Sequence, residues 1–318
     1  MNGSRKILVV IADILAWIIS ILLPEKLITR SRYFPLWERK GYHITPVHYY
    51  QPIPDTRELK DELWQQKSEM IGIEIHDEVQ LNLLAHFVTS YKSEYDHFPK
   101  EKTSIPHQYY INNDAFLSVD AEILYCMIRY FKPERIYEIG SGFSTFIAAQ
   151  SIIQNMRETS KECELIAFEP YPNLILQKGF PGLSQLINAP IQSVPILQFL
   201  KLTENDILFI DSSHVAKIGS DVVYEYLDII PRLNNGVIVH FHDIFLPYDY
   251  PKDWTLYKHR FWNEQYLLQA FLAFNKKFEI LWAGNYMSTR YPNRIAQSFS
   301  SYLPNKTLPG SLWIRKIS

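Results

Sequence analysis

The chain has 318 residues, 47% hydrophobic and 14% aromatic, which supplies enough apolar surface for one large core or two modest ones. Its 32 basic and 34 acidic side chains leave a formal charge of −2, so there is no electrostatic case for a nucleic-acid partner. Cys126 and Cys163 show neither metal-ligand nor disulfide spacing and fit a reducing, cytoplasmic setting.

Residues 7–23 (ILVVIADILAWIISILL) carry a single charge, Asp13. A helix of that length spans roughly 25 Å, slightly short of a ~30 Å hydrocarbon core. Asp13, near its middle, opposes insertion by roughly 2.5–3.5 kcal/mol. Basic residues flank both ends (Arg5 and Lys6; Lys26, Arg30 and Arg32), so no orientation is specified. The stretch reads as a helix packed on the protein or dipping into a membrane surface, with a membrane anchor as the alternative.

Residues 24–75 are rich in aromatics, prolines and charges and read as an ordered, irregular arm. Within it GYHITPVHYYQPIPDTREL gathers His43, His48, Tyr49, Tyr50 and Asp55 beside three prolines. Such a loop either staples the arm in place or lines an acceptor pocket with its hydroxyl and imidazole groups. The expected organisation is a hydrophobic helix (1–30), an arm and cap (31–112) and a catalytic domain (113–318).

Apolar residues at three- and four-residue spacing predict helices over 76–93 and 119–131. Strand and helix patterns then alternate. Strands are expected at 135–139, 164–169, 185–189, 206–211, 236–242, 278–283 and 311–317, and helices near 143–157, 172–178, 194–201, 217–231 and 261–275. This alternation predicts an α/β fold whose mainly parallel sheet is covered on both faces. Ligands of such sheets sit at the carboxyl ends of the strands, near the switch point.

Polar residues at those ends are therefore the candidates. Residues 135–150 (RIYEIGSGFSTFIAAQ) read as strand, glycine turn and helix. Gly140 and Gly142 allow positive φ and close approach of a ligand, and the free N–H groups of a helix start favour a nucleotide-like cofactor. The third glycine of the dinucleotide fingerprint is missing, which disfavours a nicotinamide dehydrogenase. Glu169 ends the second strand, where a carboxylate grips a ribose diol. Asp211 and His214 follow the fourth strand, and His240, His242 and Asp243 the fifth. Strand alternation sends His240 and His242 to one face, so one functional and one buried structural histidine are expected. Residues 245–254 read as a rim loop. At least one of Trp262, Asn263, Glu264 and Gln265, at the next helix start, is expected near the pocket.

The strings EIGSGFST, FEP, DILFIDSSH and GVIVHFHDIFLPYDYP resemble the class I S-adenosylmethionine-dependent methyltransferases, particularly a bacterial branch grouped with sugar and small-molecule O-methyltransferases. GYHITPVHYYQPIPDT, RFWNEQYLLQAFLAFN and SLWIRK extend the likeness over residues 40–318. The resemblance implies a Rossmann-like, doubly wound seven-stranded sheet with the last strand antiparallel and inserted near the edge. It implies S-adenosylmethionine as cofactor, with Glu138, Gly140, Ser141, Gly142 and Ser144 on its methionine side, Glu169 on the ribose, Gln192 on the adenine side and Asp211 counted with them.

Two mechanisms divide the remaining residues. Either Asp211, His242 and Asp243 hold a divalent cation that acidifies the acceptor hydroxyl, or His214 or His242 is a general base oriented by Asp211 or Asp243. His48, Tyr49, Tyr50 and Asp55 are the candidate acceptor residues. The expected activity is methyl transfer to an oxygen of a small molecule or glycan; the alternative is a membrane-associated protein that keeps the cofactor without catalysis.

Overall fold

The computed structural model describes residues 3–22, 28–304 and 306–318; Leu23 and Lys26 of the expected hydrophobic helix and its flank lie outside the described residues. The chain divides into two compact units, Met1–Asp61 and Glu62–Ser318. In the first, helix Gly3–Leu22 exposes its apolar side chains from Ile7 to Leu22. No helix among the described residues is long and apolar enough to cross a membrane. A short helix, Phe34–Arg39, carries Pro35 in its first turn, where the fixed φ suits a helix start and the missing N–H leaves no bond unmade. Trp37 Nε1 donates to Ile28 O at 3.2 Å, and His43 stacks on Phe34 at 5.2 Å, so this irregular segment carries contacts of its own.

The second unit is organised on a seven-stranded sheet: β1 (Arg135–Ile139), β2 (Glu164–Phe168), β3 (Gln185–Ile187), β4 (Ile207–Ile210), β5 (Ile238–Phe241), β6 (Phe278–Ala283) and β7 (Leu312–Lys316). The spatial order is β3-β2-β1-β4-β5-β7-β6, with β7 antiparallel to both neighbours. All seven strands fall where the sequence pattern put them, several shortened at their ends. The expected helix over 217–231 is broken instead into Asp221–Tyr224, a wide π-turn at Glu225–Ile229 and a tight turn at Ile230–Arg232. Pro231 accounts for its end, since proline cannot continue the amide ladder. The expected helix over 194–201 tightens to a 3-10 helix, Ile196–Lys201, after Pro195.

Strand alternation builds two cores. Ile136, Leu165, Ile207, Phe209 and Ile238 face helices Asp77–Tyr95, Asp120–Phe131 and Phe143–Thr159. Tyr137, Ile166, Leu208, Ile210 and Val239 face Phe199, Val222, Ile229 and Leu268 on the opposite side. Each fully buried side chain of this kind contributes about 1.5–3 kcal/mol, so the apolar strands are held on both faces. Backbone bonds continue past the strand ends: Gly140 N to Phe168 O (3.0 Å), Asp211 N to Ile139 O (2.8 Å) and His242 N to Ile210 O (3.0 Å). They line up the turn after β1, Asp211 and His242 along one rim.

Candidate active site

The chain reverses at Gly140, whose φ is +77°. A Cβ there would lie 1.9 Å from Asp211 O, so no side chain fits between the first and fourth strand ends. Gly142 differs: its φ of −177° is ordinary extended backbone, and a Cβ would meet nothing within 4 Å. Open space therefore stands beside the start of helix Phe143–Thr159, where Gly142 N donates to Thr145 Oγ1 at 2.9 Å. Under this turn Glu138 is buried. Burial pushes its carboxyl up to about 8, against hydrogen bonds from the Ser144 and Thr145 hydroxyls, with Asp211 and Glu169 adding to the rise. Glu138 Oε2 and Ser141 Oγ have no hydrogen-bond partner among the described residues. A buried acceptor and a buried hydroxyl left open beside free space suit the charged amino-acid end of a ligand.

Glu169 is pinned at the end of β2 by Ser141 N (3.1 Å) and Tyr171 N (2.7 Å), which leaves its remaining lone pairs for a diol. Gln192 is exposed, its side-chain amide donating to Gly219 O at 3.3 Å.

The second half of the crevice is a knot of carboxylates and imidazoles. His214 is buried, with Nδ1 2.8 Å from Glu264 Oε2 and Nε2 3.3 Å from Asp211 Oδ1 and 3.6 Å from Asp243 Oδ2. Burial opposes its charge, but Asp211 and Glu264 outweigh burial and raise its pKa well above the usual histidine range. Burial also opposes the charge of Asp211; the facing His242 and His214 prevail and hold that carboxyl down to about 2. Asp243 is raised by burial, against the pull of His242 and His214. His214 (φ +59°) and Asp243 (φ +56°) are both in the left-handed region. Such backbone costs of order 1–3 kcal/mol at a non-glycine residue and gathers at functional sites.

Donor atoms of Asp211, His214 and Asp243 lie within 4.8 Å of one another, close enough to share one cation. The sequence had put His242 in this set. In the structure His242 Nε2 is 3.6 Å from Asp243 Oδ1 and its ring lies 5.0 Å from Phe116, while the cluster that could ligate closes on His214. His240, on β5, is fully buried. It stacks on Phe209 at 3.8 Å and bonds Ser311 Oγ at 3.0 Å, and burial and His242 push its pKa well below the usual range.

Several residues of this corner come from elsewhere in the chain. Of the four at the helix start, Glu264 meets His214, Trp262 packs on the same imidazole at 4.3 Å, Gln265 Oε1 accepts from Phe245 N at 3.0 Å, and Asn263 Oδ1 accepts from Ala216 N at 2.6 Å. Three others were not singled out by the sequence. Tyr226, in the π-turn, donates to Glu264 at 3.1 Å, and its neighbour Glu225, raised well above the carboxylate range by burial and by Glu264, accepts from Ser212 Oγ at 3.0 Å. Asp120, buried at the start of its helix, accepts from Gly310 N (2.8 Å) and Ser311 N (3.0 Å). Gly310 in turn lies against Asp243, where a Cβ would come 3.1 Å from the Asp243 Cα. The available signal for Asp120 was a pair of carboxylates, Asp120 and Glu122, opening an otherwise apolar helical run, DAEILYCMI.

His48, Tyr49 and Tyr50 belong to the Met1–Asp61 unit, where their rings lie 4.3–5.4 Å from one another. Asp55 accepts from Arg57 Nε at 2.8 Å.

Residues 137–244, which run from β1 through the His242–Asp243 corner, match the family model described as a methyltransferase domain. An uncharacterised protein of Archaeoglobus fulgidus is 33% identical over 172 residues, covering 52% of this chain and 76% of that protein. Among solved structures, an O-methyltransferase from Bacillus cereus in complex with SAH is 10% identical, covers 74% of this chain and 90% of its own, and gives a TM-score of 0.36. The sheet has the seven strands and the inserted antiparallel β7 that the motifs implied, and the glycine turn, Glu138 and Glu169 stand at its switch point. On the family match and this topology, the chain belongs to the class I S-adenosylmethionine-dependent methyltransferases and is an enzyme of that class.

Proposed function

We propose that the acceptor is a small molecule or glycan, methylated on oxygen, and that its hydroxyl loses its proton at the Asp211–His214–Asp243 corner with the help of a divalent cation. The observation that carries this reading is the two-sided hold on His214: Nδ1 on Glu264, Nε2 facing Asp211 and Asp243. Metal-bound histidines are fixed in this way, the second ring nitrogen donating to a carboxylate. Two carboxylates and one imidazole suit Mn²⁺, Fe²⁺ or Zn²⁺ better than Mg²⁺. A cation held there would acidify a hydroxyl beside it. A second reading makes His242 a general base, and one observation favours it: its Nδ1 has no partner among the described residues.

When bound, S-adenosylmethionine supplies an electrophilic methyl on a positively charged sulfur. In this reading Glu138, Ser141, Ser144 and the space at Gly142 receive its amino-acid end, Glu169 its ribose diol and Gln192 its adenine edge. Asp211 stands at the junction of the two halves. The buried thiol of Cys126 supports a cytoplasmic setting, and the exposed apolar helix supports contact with a lipid surface.

The test is methyl uptake from labelled S-adenosylmethionine into glycan extracts, sugar nucleotides and other small-molecule pools, with and without chelator. Turnover lost on chelation and restored by Mn²⁺ is expected. Activity that survives both chelator and Asp243→Asn would sink the metal, and methyl uptake confined to a protein acceptor would sink the substrate class.

A further inference from the structure

Arg260 stands out among the arginines of the second unit that are not exposed. Arg129 is bound to Glu94 and Glu158, Arg135 to Asp206, and Arg315 to Glu279. Arg260, half-buried, makes no ion pair and no side-chain hydrogen bond among the described residues. Its guanidinium instead lies over two indoles, 4.8 Å from the centre of Trp254 and 4.8 Å from that of Trp262. The rings are themselves edge to face at 5.3 Å, and Arg260 N donates to Trp254 O at 2.9 Å, which closes the 254–260 loop. The group is therefore held between two indole rings, with none of its N–H groups hydrogen-bonded among the described residues. Its N–H groups, which can pair with an oxyanion two bonds at a time, are left for a ligand.

Its position ties it to the reacting corner. Trp262 packs on His214 at 4.3 Å, and the field of Arg260 reaches Asp243. Trp254 is also one wall of a cavity of about 710 Å³, whose other walls include Trp64, Tyr248, Tyr302, Ser288 and Thr289. Aromatic side chains and hydroxyls around a space of that size, with Asp249, Lys252 and Asp253 also in its walls, suit a polyhydroxylated ring. Arg260 adds a fixed positive charge beside this corner.

We propose that the acceptor is an anionic polyhydroxy compound, its ring lodged in the Trp254 cavity and its carboxylate or phosphate bound by the N–H edge of Arg260. This rests on the methyltransferase reading of the site above and narrows its acceptor class.

The experiment titrates the full-length protein, with and without S-adenosylhomocysteine, with glucuronate, glucose 1-phosphate and glucose, read by tryptophan fluorescence and calorimetry. Either or both of the anionic sugars should bind about tenfold or more tighter than glucose, as a charge-assisted pair predicts. The glucuronate and phosphate arms tell which anion is preferred. Arg260→Gln should erase the preference and Arg260→Lys retain part of it, while the affinity of both variants for S-adenosylhomocysteine stays that of the wild type and so reports an intact fold. Equal binding of charged and neutral sugars, no binding of any, or a preference that survives Arg260→Gln overturns the proposal. Failure of the wild type to bind S-adenosylhomocysteine counts against the cofactor site instead, and the titrations without it still decide the role of Arg260.

Discussion

At the ends of β1 and β2 the crevice is shaped by backbone: a glycine turn, the first amides of a helix, and a carboxylate fixed by two backbone amides, Ser141 N in that turn and Tyr171 N two residues on. At the ends of β4 and β5 it is shaped by side chains drawn from separate parts of the chain. Glu264 orients His214 from 50 residues away, and Asp120 reaches Gly310 across 190 residues to set the bend beside Asp243. The first half depends on local geometry, and a single substitution should break it through sterics. The second depends on charge held at a distance, and should fail in graded steps.

The sharpest break in that contrast is Gly140→Ala. The new Cβ would fall 1.9 Å from Asp211 O at a residue with φ of +77°. Backbone strain and overpacking together are expected to cost about 3 kcal/mol or more, with cofactor binding lost. Gly142→Ala, where a Cβ meets nothing within 4 Å, should leave denaturant stability within about 1 kcal/mol of wild type and yet weaken S-adenosylhomocysteine binding by filling the open space. Equal loss of stability in the two variants would show that the turn is not set by the close approach at Gly140.

On the other side, Glu264→Gln keeps the shape of the side chain and removes the charge behind His214. A loss of about 10–100-fold in turnover or in Mn²⁺ affinity is expected, the usual effect of removing a carboxylate behind a metal-binding histidine. Tyr226→Phe deletes only the 3.1 Å hydroxyl contact to the same carboxylate and should cost less. If the phenylalanine variant loses as much as the glutamine one, the charge of Glu264 is not what orients the imidazole.

The same contrast explains what could be read in the sequence. Seven strands and the position of the glycine turn were legible because each rests on a short local pattern: short apolar runs, turn glycines, polar residues at strand ends. Asp211, His214 and Asp243 were legible as strand-end residues for the same reason. Which histidine joins the two aspartates was not. His242 adjoins Asp243 in sequence, but the strand pairing that continues through its amide carries its ring toward Phe116, whereas the left-handed backbone at His214 turns that imidazole between the carboxylates. The helix near 217–231 misled for a related reason. Its apolar spacing is helical, but Glu225 and Tyr226 sit in a π-turn, a wider ring that carries their side chains toward Ser212 and Glu264, and no spacing rule anticipates such an insertion. Asp120 and Gly310 meet only in three dimensions.

The mildest test concerns Glu138, where burial lifts the carboxyl from the usual 4.5 to about 8. The folded protein then keeps a proton that the unfolded chain releases above pH 4.5, so on this group's account stability is greatest below that value and falls as pH rises toward 8. A ligand whose ammonium meets Glu138 needs the ionised form and binds more tightly as the proton leaves. Affinity for S-adenosylhomocysteine should therefore rise about fivefold between pH 7 and pH 8 and level off above it. Glu138→Gln, which cannot ionise, should bind more weakly at pH 8 and show no such slope. A flat wild-type profile would mean that Glu138 does not meet the ammonium, and that the unpartnered oxygen beneath the glycine turn is filled by some other group.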